Sequence, residues 1–146
     1  MLHPTYHIQT VLHAGFMRLT DFSDYSLRTL IYLNRSGELA TLNELSEALN
    51  VSRNHLIKVV NKLVKLGYLQ AVRGRFGGLK IEPQTGALPV GEILKNTEEN
   101  LRLVECFSDG KIACPLFPKC KLQNSLNEAL DAFFASLNLR TLDDIT

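Results

Sequence analysis

The sequence predicts a mostly α fold with a small β component (α+β), and three observations carry the expectation. Apolar residues recur at helical spacing in five stretches between Asp21 and Leu137. Between the third and the fourth, two short strand-like runs flank a glycine-rich tip. From Ser52 to Ile81 the chain carries seven of its 16 Lys and Arg residues and no acidic residue, although the whole protein is near neutral at +1. A helix followed by a basic hairpin is the recognition half of a winged helix-turn-helix.

The elements follow in order. From Asp21 to Arg35, the residues Phe22, Tyr25, Leu27, Leu30, Ile31 and Leu33 form a wide apolar stripe, with Thr20 or Asp21 able to cap the start. Ser36-Gly37-Glu38 reads as a loop, and Thr41 with Glu44 makes a capping box for a short second helix bearing Leu42, Leu45, Ala48 and Leu49. Asn50-Val51 is the turn into a third helix capped by Ser52. Its Leu56, Val59, Val60, Leu63 and Leu66 face inward, while Arg53, Asn54, Lys58, Asn61, Lys62 and Lys65 face outward. Gly67 stops it. Tyr68 to Val72 and Leu79 to Ile81 are the strands of a wing whose tip, Arg73 to Gly78, holds Arg73 and Arg75.

An amphipathic helix also solvates its outer face with Lys, and glycines also serve as plain turn residues. The missing acids decide between these readings and nucleic acid. So do the polar Ser52-Arg53-Asn54-His55 at the helix N-terminus and the arginines on the hairpin tip. Double-stranded DNA is the expected partner, with Ser52, Arg53, Asn54, His55, Lys58, Lys62, Arg73 and Arg75 as the contacts. Arg53, Asn54 and His55 are placed to read bases, and Lys58, Lys62 and Lys65 to meet phosphate.

After a loop from Glu82 to Gly86, Val90, Ile93 and Leu94 mark a short helix ending near Asn96. From Lys121 onward, Leu122, Leu126, Ala129, Leu130, Phe133, Phe134 and Leu137 repeat at helical spacing. This long helix lies outside the small domain. It is expected to bury Leu126, Leu130, Phe133 and Leu137 against a second copy of the chain, the alternative being packing on its own wing domain. The division expected is therefore a winged helix-turn-helix domain over residues 17–100, a cysteine loop over 101–120, and a dimerisation helix and tail over 121–146.

Composition narrows the classes. At 146 residues with 45% hydrophobic content, the chain can bury one core and a helical extension, and it has no apolar run approaching the ~20 residues of a membrane span. Residues 1–16 hold three of the four histidines but lack the charge pattern of an export signal, so they read as a disordered extension or a mis-assigned start. Three cysteines, an odd number, argue against a disulfide framework and for a reducing cytoplasm. The only histidine of the folded part, His55, has no Asp, Ser or Cys beside it for nucleophile-base chemistry, so an enzyme is not expected.

Cys106, Cys114 and Cys120 are separated by seven and five intervening residues, unlike a zinc knuckle, in a segment kept irregular by Pro115 and Pro118. Thiolate ligands in such a loop suit iron–sulfur, zinc or Cu(I), and three ordinary buried cysteines fit the spacing equally.

The segment Met17 to Arg28, the run Val51 to Lys58, the wing Val72 to Gly78 and the three-cysteine loop together resemble the NsrR, IscR and RirA family of winged-helix regulators, and within it the nitric-oxide-sensing branch. The likeness runs from Met17 to the end. It implies a homodimeric repressor holding an iron–sulfur cluster, 4Fe–4S rather than 2Fe–2S, on Cys106, Cys114 and Cys120 plus a fourth ligand. IscR-like members place a His three residues after the last cysteine, where this chain has Gln123. In the nitric-oxide-sensing branch an Asp of the first helix on the partner subunit serves, and it matches Asp24. A carboxylate in the first helical turn is also favoured by the macrodipole alone. The resemblance implies release of operator DNA when nitric oxide attacks the cluster. The same architecture serves a sensor of iron or cluster status, and outside that class stands a zinc or thiol redox module without a cluster.

Overall fold

The computed structural model describes residues 18–99, 101, 103–107 and 112–146, so the expectations for residues 1–16 lie outside the described residues, as do Met17 and loop residues 108–111. The elements run α1 (Asp21–Ser36), α2 (Leu42–Leu49), α3 (Arg53–Lys65), β1 (Leu69–Val72), β2 (Gly78–Ile81), α4 (Val90–Thr97) and α5 (Lys121–Leu137). One-turn 3-10 helices form at Glu105–Phe107 and Asp143–Ile145. Three helices followed by an antiparallel hairpin make the expected winged helix-turn-helix.

Local chemistry sets the boundaries. Thr20 caps α1 by accepting from the Ser23 N–H, and Gly37 ends it in the left-handed region with φ 65°, where a residue without Cβ is unstrained. At α2, Thr41 accepts from the Glu44 N–H while the Glu44 carboxylate accepts from the Thr41 N–H at 2.6 Å. The bonds from the Thr41 backbone and then its hydroxyl hold the Glu44 carboxyl below the ordinary range. Asn50 takes the left-handed conformation (φ 50°), and the Ser46 hydroxyl donates to the Val51 carbonyl at 2.7 Å, fixing the turn from α2 into α3.

The core is one cluster. Leu30 and Leu33 of α1, Leu45 of α2, Leu56, Val59 and Leu63 of α3, Leu69 of β1, Leu79 of β2 and Ile93 of α4 are all buried within it. On α1 the buried face differs from the apolar stripe read from the sequence: Ser23, Ser26 and Thr29 are buried, while Phe22, Tyr25, Leu27 and Ile31 are half-buried at the margin. Small hydroxyl side chains let neighbouring helices approach closely. Two of them satisfy themselves on α1, Ser26 donating to the Phe22 carbonyl and Thr29 to the Tyr25 carbonyl, each at 2.7 Å.

The C-terminal residues divide between two partners. Helix α5 meets α4 and buries only Phe134 there, with the Lys95 ammonium 5.2 Å from its ring centroid. The chain then turns back onto the wing domain: Leu142 is fully buried in the core, its N–H donates to the Leu88 carbonyl, and the Val90 N–H donates to the Arg140 carbonyl. Thr141 and Asp144 reproduce the capping-box pattern, and the Thr141 backbone and hydroxyl bonds hold the Asp144 carboxyl low. Among the described residues no helix is long and apolar enough to cross a membrane.

Candidate nucleic-acid interface and cysteine loop

The inner face of α3, Leu56, Val59, Val60 and Leu63, is locked into the core, which fixes the opposite face outward. Arg53, Asn54, His55, Lys58, Asn61, Lys62 and Lys65 are all exposed. Ser52 caps the helix through a 3.4 Å bond from the His55 N–H, and no acidic residue occupies the first turn. The positive end of the helix dipole and the Arg53 guanidinium therefore share one surface. His55 is less free than its neighbours: its ring stacks on Tyr25 of α1, centroids 5.9 Å apart.

The wing is anchored on the same side of the domain. Strands β1 and β2 pair Leu69 with Ile81 through Val72 with Gly78, and Ala40 bridges to Leu79 in both directions, at 3.0 and 2.8 Å. A Cβ at Gly78 would stand 2.9 Å from the Ala40 carbonyl oxygen, so this close approach requires glycine. Between wing base and helices lies a cavity of about 330 Å³ lined by Thr41, Asn43, Arg53, Gly77 and Leu79 among others. Arg73 and Arg75 are exposed at the tip. Among the described residues the ion pairs are Arg18–Asp21 and Arg28–Asp24, which leaves every cation of α3 and the wing without a carboxylate partner. Such a surface attracts a polyanion.

The three cysteines are free thiols, all half-buried. Cys106 lies in the 3-10 turn, Cys114 in the proline-flanked loop, and Cys120 is the N-cap of α5. The Gln123 side-chain amide donates to the Cys106 carbonyl at 3.2 Å, tying the first cysteine to the helix that Cys120 opens. Cys120 makes no side-chain capping bond, and no acidic residue lies in the first turn of α5. Among the described residues no three Cys, His, Asp or Glu side chains converge as a metal-binding group within one chain. By their chemistry, three free thiols are donors that suit an iron–sulfur cluster. Asp24 stands apart on α1, its carboxylate held by Arg28 through bonds of 3.0 Å to Nε and 2.6 Å to Nη2.

Sequence reasoning missed the Tyr25–His55 stack and the Gln123–Cys106 bond. Their partners are 30 and 17 residues apart, and no local spacing signals either.

Comparison with known proteins places this arrangement. The family model Rrf2, described as an iron-dependent transcriptional regulator, matches residues 19–146. The HTH-type transcriptional regulator NsrR of Bacillus subtilis (strain 168) is 42% identical over 131 residues, 88% of this chain and 90% of that protein. That of Geobacillus kaustophilus (strain HTA426) is 39% identical over 88% and 89%. In fold, Staphylococcus aureus CymR superposes with a TM-score of 0.66 at 21% identity over 86% of this chain and 95% of that one. T. potens IscR does so with 0.68 at 18% identity over 88% and 85%.

Proposed function

As a member of the Rrf2 family, to which this chain belongs, the protein is a transcriptional regulator, and we propose that it is a homodimeric repressor that senses nitric oxide through an iron–sulfur cluster. The observation that carries the DNA half is the α3–wing surface, whose cations have no carboxylate partner among the described residues. The sensing half is supported by the three free thiols and by the likeness to regulators named NsrR.

Each residue group has a task. The N-terminus of α3 enters the major groove, where Arg53 and Asn54 meet base edges and Lys58, Lys62 and Lys65 meet phosphates. Arg73 and Arg75 extend the contact from the wing. Leu126, Leu130 and Leu137 of α5 are half-buried and Phe133 is exposed in the single chain, so this stripe is available to a second protomer that sets the half-site spacing. Cys106, Cys114 and Cys120 would hold the cluster, with Asp24 of the partner subunit as the oxygen ligand. When bound, the cluster supplies iron that reacts with nitric oxide. The carboxylate is the hardest donor of the set and so the weakest match to a sulfide cluster. Loss of the Asp24 bond would unlink α1 of one subunit from the cysteine loop of the other and would shift the recognition helices.

The test is anaerobic purification followed by visible absorbance and a nitric oxide titration, with DNA release followed by fluorescence anisotropy. A visible band that bleaches in step with release is the expected result. A colourless protein would point to a zinc or thiol module instead. The family description as iron-dependent favours a second reading, a sensor of iron or cluster status. Release by iron chelation at lower dose than by nitric oxide would establish that one.

A further inference from the structure

At the wing tip the Gly77 N–H donates to the Gly74 carbonyl at 3.0 Å, closing a turn whose two central residues are Arg75 and Phe76. Phe76 is 87% exposed, more than any other large apolar residue described. A single exposed apolar side chain needs no explanation by itself. The setting of this one does. A Cβ at Gly77 would come within 2.2 Å of the Val72 carbonyl oxygen, and Gly74 has φ 116°, so the turn is built on glycines that hold the central pair outward. The Arg75 guanidinium lies over the Phe76 ring, 5.7 Å from its centroid, covering one face and leaving the rest of the ring to solvent.

We propose that Phe76 is an apolar contact with the DNA minor groove flanking the major-groove site of α3, delivered together with Arg75. This rests on the reading of the chain as a DNA-binding regulator. The occupant is chosen by charge. With Arg73 and Arg75 beside the ring and no acidic residue from Ser52 to Ile81, an apolar protein partner would bury arginines without counter-charge, whereas the minor groove attracts guanidinium. Phenylalanine placed there opens a base step and bends the duplex towards the major groove.

The experiment uses duplexes that the anaerobically purified parent protein selects from a random-sequence pool. Affinity is read by anisotropy over a range of salt, and bending by energy transfer between the duplex ends. Phe76→Ala should weaken binding by about tenfold, the loss expected when a buried apolar ring is truncated. It should leave the salt dependence unchanged, because an apolar contact releases no counterion, and it should lower the bend. Phe76→Leu should keep most of the affinity, and Arg75→Ala should lower the salt slope by roughly 0.9. Phe76→Ala binding and bending DNA as the parent does would overturn the proposal, as would a loss accompanied by a reduced salt slope, which would make the ring only a support for Arg75. Failure of the parent to enrich any duplex would remove the DNA-binding reading itself.

Discussion

The Tyr25 ring, one residue beyond Asp24, stacks on the His55 ring in the first turn of α3, with centroids 5.9 Å apart and planes 29° from parallel. The helix carrying the candidate oxygen ligand thereby touches the end of α3 proposed to meet DNA. Aromatic pairs of this kind contribute about 0.5–1.5 kcal/mol beyond their burial. Tyr25→Ala should therefore reduce the ratio of operator affinities before and after nitric oxide by about twofold to tenfold, whereas Tyr25→Phe keeps the stack and should behave as the parent. If both variants respond as the parent does, α1 does not act on DNA through His55.

Arg53 is exposed at the dipole-positive end of α3 and borders the cavity beneath the wing. A bidentate guanine contact from it predicts that Arg53→Ala costs ~1–3 kcal/mol on a selected operator and far less on random DNA. Competition titrations check this. Equal losses on both would reduce Arg53 to a phosphate contact.

Leu142 lies only four residues from the C-terminus of the sequence, yet it is fully buried between α1 and the chain around Leu88. Its neighbourhood is closed by the Asn34 side-chain amide, which donates to Asp143 at 2.8 Å and to Thr146 at 3.0 Å. Leu142→Ala should lower stability by about 2–5 kcal/mol, the cost of a core cavity. Denaturant unfolding measures it, and a loss near zero would mean the tail is not docked in solution.

How legible these features were depends on the range of the interactions that make them. The capping box of Thr41 and Glu44, the stop at Gly67 and the wing all follow from partners a few residues apart, so the helix-turn-helix and its basic face could be read directly. Leu142 could not, because Leu88 and Asn34 are remote in sequence. Ser23, Ser26 and Thr29 were hidden by their polarity, since nothing in a residue's type announces that its hydroxyl will bond to its own helix and leave a small buried surface. The cysteines could be named from the sequence, but their spacing does not fix how they are arranged in space, and within one chain no metal-binding group forms among the described residues.

The stripe on α5 is left partly uncovered by its own chain, Phe133 being 42% exposed beside half-buried Leu126, Leu130 and Leu137. Leu130→Glu would place a charge without a partner in a protomer interface. Sedimentation is expected to show a dimer for the parent and monomers or aggregates for this variant. An intact dimer from this variant would move the interface elsewhere.

Asp24 has two possible roles that differ in what its loss should do. The carboxylate is paired to Arg28 one turn along, but both side chains are well exposed, at 40% and 52%, so the pair contributes only about 0.3–0.5 kcal/mol. Its place in the first turn of α1 adds a macrodipole contribution of similar size. A purely structural Asp24 thus predicts that Asp24→Ala lowers stability by about 1 kcal/mol or less and leaves the absorbance unaltered. A ligand role predicts the same small loss in the metal-free protein, together with a changed visible spectrum and a changed dose of nitric oxide for DNA release. Arg28→Ala separates the two further, because it removes the competing cation and leaves the carboxylate in place. As a ligand, Asp24 should then support a parent-like spectrum. Should Asp24→Ala match the parent in absorbance, circular dichroism and nitric oxide titration, the fourth ligand lies elsewhere and Asp24 serves only the helix that carries it.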